Sequence, residues 1–219
     1  MTRMELQFFD PTADVLITHR KLPHWEQAGA VYFITFRMQD ALPKEVISRM
    51  RTERCLWLRA RGIAPDDPEW RTALAKLSLA EKRAYHSAFT SRWFDLLDEG
   101  HGECLLRKPA LSQIVADSLR FFDGDRYLMR SFVVMPNHVH LLAQFPTEGG
   151  MKAQCESWKR FTASKINKAL NRQSYFWQGE SFDHLVRSEE QYFHLLQYVA
   201  GNSIKAKLLA GEYVLYRRE

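Results

Sequence analysis

Two apolar runs joined by Pro136-Asn137 constrain this chain more than any other feature. Arg126–Met135 (RYLMRSFVVM) and His138–Phe145 (HVHLLAQF) each have strand length, and Pro-Asn is a turn signal, so the segment reads as a β-hairpin. Strand side chains alternate between faces. His138, His140, Leu142 and Gln144 therefore share one face, and Val139, Leu141, Ala143 and Phe145 the other, which goes to a core. Gly29–Arg37 (GAVYFITFR) is apolar on both faces, as in a central strand covered on both sides or packed against a helix. Such strands need helices over them.

The helices are legible. Lys44–Arg61 is one; after a Pro-Asp turn at Pro65–Pro68, a long amphipathic stretch runs from about Glu69 to Asp98 and breaks at Gly100–Gly102. Pro109 is placed to start another, reaching Phe122. A further helix follows Gly149-Gly150 over Met151–Leu170, and Phe182–Val186 is a short strand. Ser188 is the N-cap of a last helix from Glu189 to about Ala200. The order implies an α+β fold, an antiparallel sheet covered by helices. At 219 residues the chain suits one domain, or one with a large insertion.

Hydrophobic residues at 46% and charged residues at 26% exclude a disordered chain. Cys55, Cys104 and Cys155 form no CxxC and no disulfide framework, which points to a reducing, cytoplasmic setting. Met1–Asp10 has no apolar run of signal-peptide length, and no window approaches a membrane span, so no membrane partner is expected. The net charge of +5 permits a nucleic-acid partner without demanding one. Residues 151–219 hold 11 basic and 7 acidic side chains, and Lys159, Arg160, Lys165, Lys168 and Arg172 fall in one run. That run is either a solvated helix face or a phosphate-binding surface.

His138 and His140 stand about 6.5–7 Å apart along one strand face, close enough for both rings to converge on one divalent metal. A polar surface pair is the competing interpretation. On the last helix, His194, Tyr198 and Asn202 are spaced four apart and share a face if the helix persists past Gly201. Asn offers a neutral oxygen ligand, and Tyr is either a nucleophile or a half-buried aromatic with its hydroxyl bonded to backbone.

These residues carry a resemblance. MPNHVHLL (Met135–Leu142) resembles the His-hydrophobic-His motif of HUH single-strand nucleases, and more closely the single-tyrosine transposases, within them the REP-associated tyrosine transposases. Trp158–Thr162 (WKRFT), Phe176–Gln178 with Phe182–Arg187 (FWQ, FDHLVR), and Tyr198–Ala206 (YVAGNSIKA) resemble further blocks of that family in its order. GAVYFITFR resembles its first strand. The likeness spans roughly residues 22–40 and 105–210. It implies a ferredoxin-like HUH palm, with residues 45–104 as a mostly helical insertion inside one domain, 1–219. It implies Tyr198 as nucleophile, and His138, His140 and Asn202 as ligands of Mg or Mn. The substrate it implies is single-stranded DNA flanked by a REP-like hairpin, cut through a 5′-phosphotyrosine.

Under that resemblance Lys159, Arg160, Lys165, Lys168, Arg187 and Lys205 become DNA contacts. His184 is either a structural histidine or a substrate contact. Trp158, Phe161, Trp177 and Phe182 are either core or stacking platforms. The family's Asn-Pro is Asn202-Ser203 here. Two other classes compete: an inactive single-stranded DNA or hairpin-binding module, and a zinc hydrolase using His138, His140 and either His184 or Cys155. The oligomeric state, monomer or homodimer, is open.

Overall fold

The computed structural model describes residues 5–19 and 23–218. Residues 1–4, part of the stretch read as lacking a leader, and Leu22, at the start of the resembling N-terminal segment, lie outside the described residues. The chain divides into two compact units, residues 1–39 with 103–219, and residues 40–102.

The first unit is built on a five-stranded sheet. Its strands are β3 (Val31–Arg37), β4 (Leu128–Val134), β5 (His138–Gln144), β6 (Phe182–Leu185) and β7 (Val214–Arg217). A separate ribbon pairs β1 (Leu16–His19) with β2 (Pro23–Glu26). The sheet order is β6-β3-β5-β4-β7 and every pair is antiparallel. A helix, α5 (Pro109–Arg120), separates β3 from β4; another, α6 (Gly150–Ala169), separates β5 from β6. A βαββαβ order with its fourth, first, third and second strands side by side is the ferredoxin-like arrangement. β7 extends it at one edge.

Both faces of the sheet are covered, as the apolar run of β3 required. Six of its seven residues, and all seven of β5, are buried. On one face α6 packs through Trp158, whose ring lies 4.9 Å from Tyr127 and 6.3 Å from Phe145. Trp177, 4.9 Å from Phe36, joins this side and donates its Nε1–H to Thr162 Oγ1 at 2.8 Å. Trp158 and Trp177 are therefore core, whereas Phe161 is exposed. On the other face lies α7 (Glu189–Lys205), which buries Leu195, Leu196 and Val199. Beyond β6, His24 Nδ1 meets Asp183 Oδ1 at 2.5 Å and ties the ribbon to the sheet edge.

Local signals account for the ends of α7. Ser188 accepts from the Gln191 N–H, so the cap falls where expected. The helix runs to Lys205, past the anticipated end near Ala200 and through Gly201. Glycine inside a helix costs about 0.5–1 kcal/mol relative to alanine. A Cβ at Gly201 would meet nothing within 4 Å. Gly201→Ala should therefore raise the urea and thermal midpoints by that order, and a lowered midpoint would show that the site is crowded.

The second unit, Asp40–Gly102, holds α1 (Lys44–Arg59), α2 (Trp70–Ala75), α3 (Leu79–Tyr85) and α4 (Arg92–Asp98), with a π-helical stretch, His86–Ser91, between the last two. The stretch read as one amphipathic helix is thus divided. Ser78 and Glu81 form a reciprocal capping box that starts α3 afresh. No helix among the described residues is long and apolar enough to cross a membrane.

Candidate metal and tyrosine site

The pairing register builds the site. His138 lies opposite Arg37, His140 opposite Thr35 and Leu142 opposite Phe33, so these side chains share one face. Phe33 in turn lies opposite His184 on β6. This is the face that α7 covers. The two histidines are fully buried, and their Nε2 atoms stand 3.0 Å apart.

Each ring is held from behind. His138 Nδ1 donates to Asn137 Oδ1 at 2.7 Å, because an amide oxygen only accepts, and this leaves His138 Nε2 a lone pair. His140 Nδ1 lies 2.7 Å from Thr35 Oγ1, a hydroxyl able to donate or accept. When Thr35 accepts, His140 Nε2 is a second lone pair beside the first. Burial, with the Arg37 charge second, pushes His138 down to about 3. Burial, then the charges of His138 and Lys205, hold His140 well below the ordinary imidazole range. Both rings are neutral at physiological pH, the form a metal ion needs.

The pair fits a divalent ion. Adjacent ligands of a six-coordinate ion at about 2.0–2.1 Å stand roughly 3 Å apart, which is the Nε2 separation found. Tyr198 projects from α7 to the same point, its hydroxyl 3.4 Å from His140 Nε2. Phe33 is the packing hub, with its ring centre 5.5 Å from His140, 5.4 Å from His184 and 5.9 Å from Tyr198. Asn202 is buried one turn after Tyr198, and Ser203 is also buried within the helix. A proline at 203 would remove a helical N–H there. His194, one turn before Tyr198, is exposed.

Other expected participants lie elsewhere. His184 is on the right face, but the Phe33 ring contacts it and His140 alike, and its Nε2 accepts from Gln191 Nε2 at 3.4 Å. Cys155 is buried on α6, against the opposite face of the sheet, with its Sγ 3.9 Å from the sulfur of Met151. Burial pushes its thiol far up. Among the described residues, neither side chain joins the histidine pair in a group able to hold a metal ion.

The basic residues divide by face. Arg160, Lys165 and Lys168 are exposed on α6, across the sheet from the histidines, with Lys165 Nζ 5.6 Å from the Phe161 ring. Lys159 donates to the carbonyls of Gly179 at 2.6 Å and Gln178 at 3.4 Å, tethering a loop. Arg187 and Lys205 lie at the two ends of α7, on the tyrosine side. Proximity along the chain had set the whole basic run beside the tyrosine. The two-sided sheet separates them. Thr35, Asn137 and Phe33 were missed as site residues, although the period-2 register of β3 against β5 is the signal that carries Thr35 and Phe33.

No protein-family model matches the chain, and no curated protein matches it. A solved structure of a REP-associated tyrosine transposase bound to a REP hairpin is similar to it at a TM-score of 0.43 and 14% identity, over 88% of this chain and 75% of that one. The fold stands on the strand order above.

Proposed function

We propose that the chain is a metal-dependent single-stranded DNA endonuclease and strand transferase of the HUH single-tyrosine kind, acting on hairpin-flanked DNA. The observation that carries this reading is the Tyr198 hydroxyl 3.4 Å from one of two buried, neutral, converging imidazoles. A structural tyrosine has no need of such neighbours. The resembling sequence blocks occur in the order of that family. Three free cysteines suit a cytoplasmic setting.

The chain's own residues divide the work. His138, His140 and Asn202 would hold a divalent ion, Mg or Mn. When bound, it supplies Lewis-acid polarisation of a non-bridging phosphate oxygen. Tyr198 Oη attacks the scissile phosphorus and loses its proton to solvent. The bond from phosphorus to the 3′ oxygen breaks, and that oxygen leaves as a hydroxyl. A 5′-phosphotyrosyl link remains, and a second 3′-hydroxyl can displace the tyrosine and rejoin strands. Phe33 fixes the angle of the Tyr198 ring, and Arg187 and Lys205 neutralise strand phosphates on the α7 side.

The test is a denaturing gel of protein, Mn and end-labelled hairpin-bearing single strands. A covalent protein–DNA adduct is expected. Its absence from every such substrate, with binding intact, would leave only a binding module.

Thr35 should matter in a graded way. Thr35→Val removes the hydroxyl that orients His140 and should weaken Mn binding about 10–100-fold in calorimetry, while Thr35→Ser keeps it. Equal affinities in all three proteins would show that Thr35 is merely packed there.

A further inference from the structure

The unit Asp40–Gly102 carries a charge arrangement of its own. Its helices meet on four aromatic rings. Trp57 and Tyr85 lie 5.3 Å apart, Tyr85 and Phe89 5.1 Å, Trp57 and Phe89 6.1 Å, and Trp70 and Tyr85 6.4 Å. All four rings are only half-buried. Arginines lie over them. Arg61 is 3.5 Å from the Trp57 ring centre, and Arg71 and Arg54 are 4.4 and 5.5 Å from that of Trp70.

Cation–π contact orients a guanidinium but does not neutralise it. Most of the unit's arginines with described contacts have a carboxylate. Arg61 has Glu81 at 3.4 Å, Arg59 has Asp66 at 3.7 Å, and Arg92 and Arg49 share Glu53 at 2.8 and 3.9 Å. Arg54 and Arg71 have none among the described residues. They act on one another instead: burial first, and then the Arg54 charge, lower Arg71. The charges of both also reach the Tyr85 phenol, where they oppose the upward effect of burial. The Arg54 Nε–H is buried without an acceptor. Two like charges set around one indole, one of them with an unmet donor, are costly unless an anion joins them.

We propose that Arg54, Arg71 and Tyr85 form a binding site for a phosphate group. Paired guanidiniums and a phenol offer more donors than a carboxylate can take, and phosphate oxygens match the guanidinium fork. The half-buried Trp70 gives an attached base or sugar an apolar surface. Two sources supply this chemistry, a nucleic-acid strand and a free phosphate monoester. A strand as the source rests on the proposed action of Tyr198 on DNA.

The test measures binding by the full chain in EDTA, where no adduct forms. The probes are a hairpin-free oligothymidylate and inorganic phosphate. Arg71→Gln and Arg54→Gln should each weaken the probe that binds about tenfold. Each should also reduce the salt slope for the oligonucleotide by about 0.7. Arg71→Lys, at an exposed position, should keep the slope and so guards against misfolding as the cause. Tighter binding of the oligonucleotide identifies a strand as the source, and tighter binding of phosphate identifies a monoester. Wild-type affinity and slope in both glutamine variants would overturn the site. Failure of adduct formation would leave this result standing, so the two failures are separable.

Discussion

Replacing Tyr198 by phenylalanine should abolish the covalent DNA adduct, by more than about 10⁴-fold in rate, while hairpin binding stays within about twofold of wild type. The substitution is close to a pure deletion of the nucleophile. The ring keeps its contacts, 5.9 Å from Phe33 and 5.3 Å from His140. The contact from the hydroxyl to His140 Nε2, at 3.4 Å, is long, so the loss of that contact should cost less than about 1 kcal/mol of stability. Adduct yield on a denaturing gel, with the melting midpoint as control, reads the two effects separately. An adduct that survives in the phenylalanine variant would place the nucleophile elsewhere.

Loss of either histidine should be nearly as severe. His138→Ala and His140→Ala should each weaken Mn binding by at least about 100-fold, more than the loss of an orienting partner such as Thr35 costs. The physical reason is the paired geometry, two Nε2 atoms 3.0 Å apart on fully buried rings. An ion that binds only the folded chain raises its stability by mass action, about 2.7 kcal/mol at a hundredfold excess over Kd. Millimolar Mn should therefore raise the melting midpoint of the wild type and leave that of either variant unmoved. The variants also remove the ring nitrogen that meets Asn137 Oδ1 or Thr35 Oγ1, which lowers stability on its own account. The difference with and without Mn, rather than the midpoint itself, is thus the diagnostic quantity. A wild type indifferent to Mn would remove the metal assignment.

Legibility varied with the length of the signal. The hairpin, the strand Val31–Arg37 and the helices α1, α5, α6 and α7 were readable because each carries a long periodic pattern or a cap. Of the four-residue strands, Phe182–Leu185 was read but β1, β2 and β7 were not, since so short a run has almost no period and its pairing is chosen by what lies next to it in space. The division of residues 69–98 was readable in principle from Ser78 and Glu81, but hydrophobic periodicity alone runs across it. At the site, the spacing of His138 and His140 and of Tyr198 and Asn202 was plain, because each pair lies on one element with a known repeat.

What the sequence determined by itself was therefore local: which residues alternate, which share a helix face, and which runs must be buried. The tertiary structure decided how those local faces meet. It set Thr35 behind His140, Phe33 between His140, His184 and Tyr198, and Cys155 on the far side of the sheet. It also parted the exposed cations of α6 from the tyrosine helix, although all lie in the same third of the chain. The reason is geometric. A sheet covered on both faces can send successive helices to one side, as α5 and α6, or to opposite sides, as α6 and α7, and only strand order and register, which depend on contacts distant in sequence, say which side each one takes.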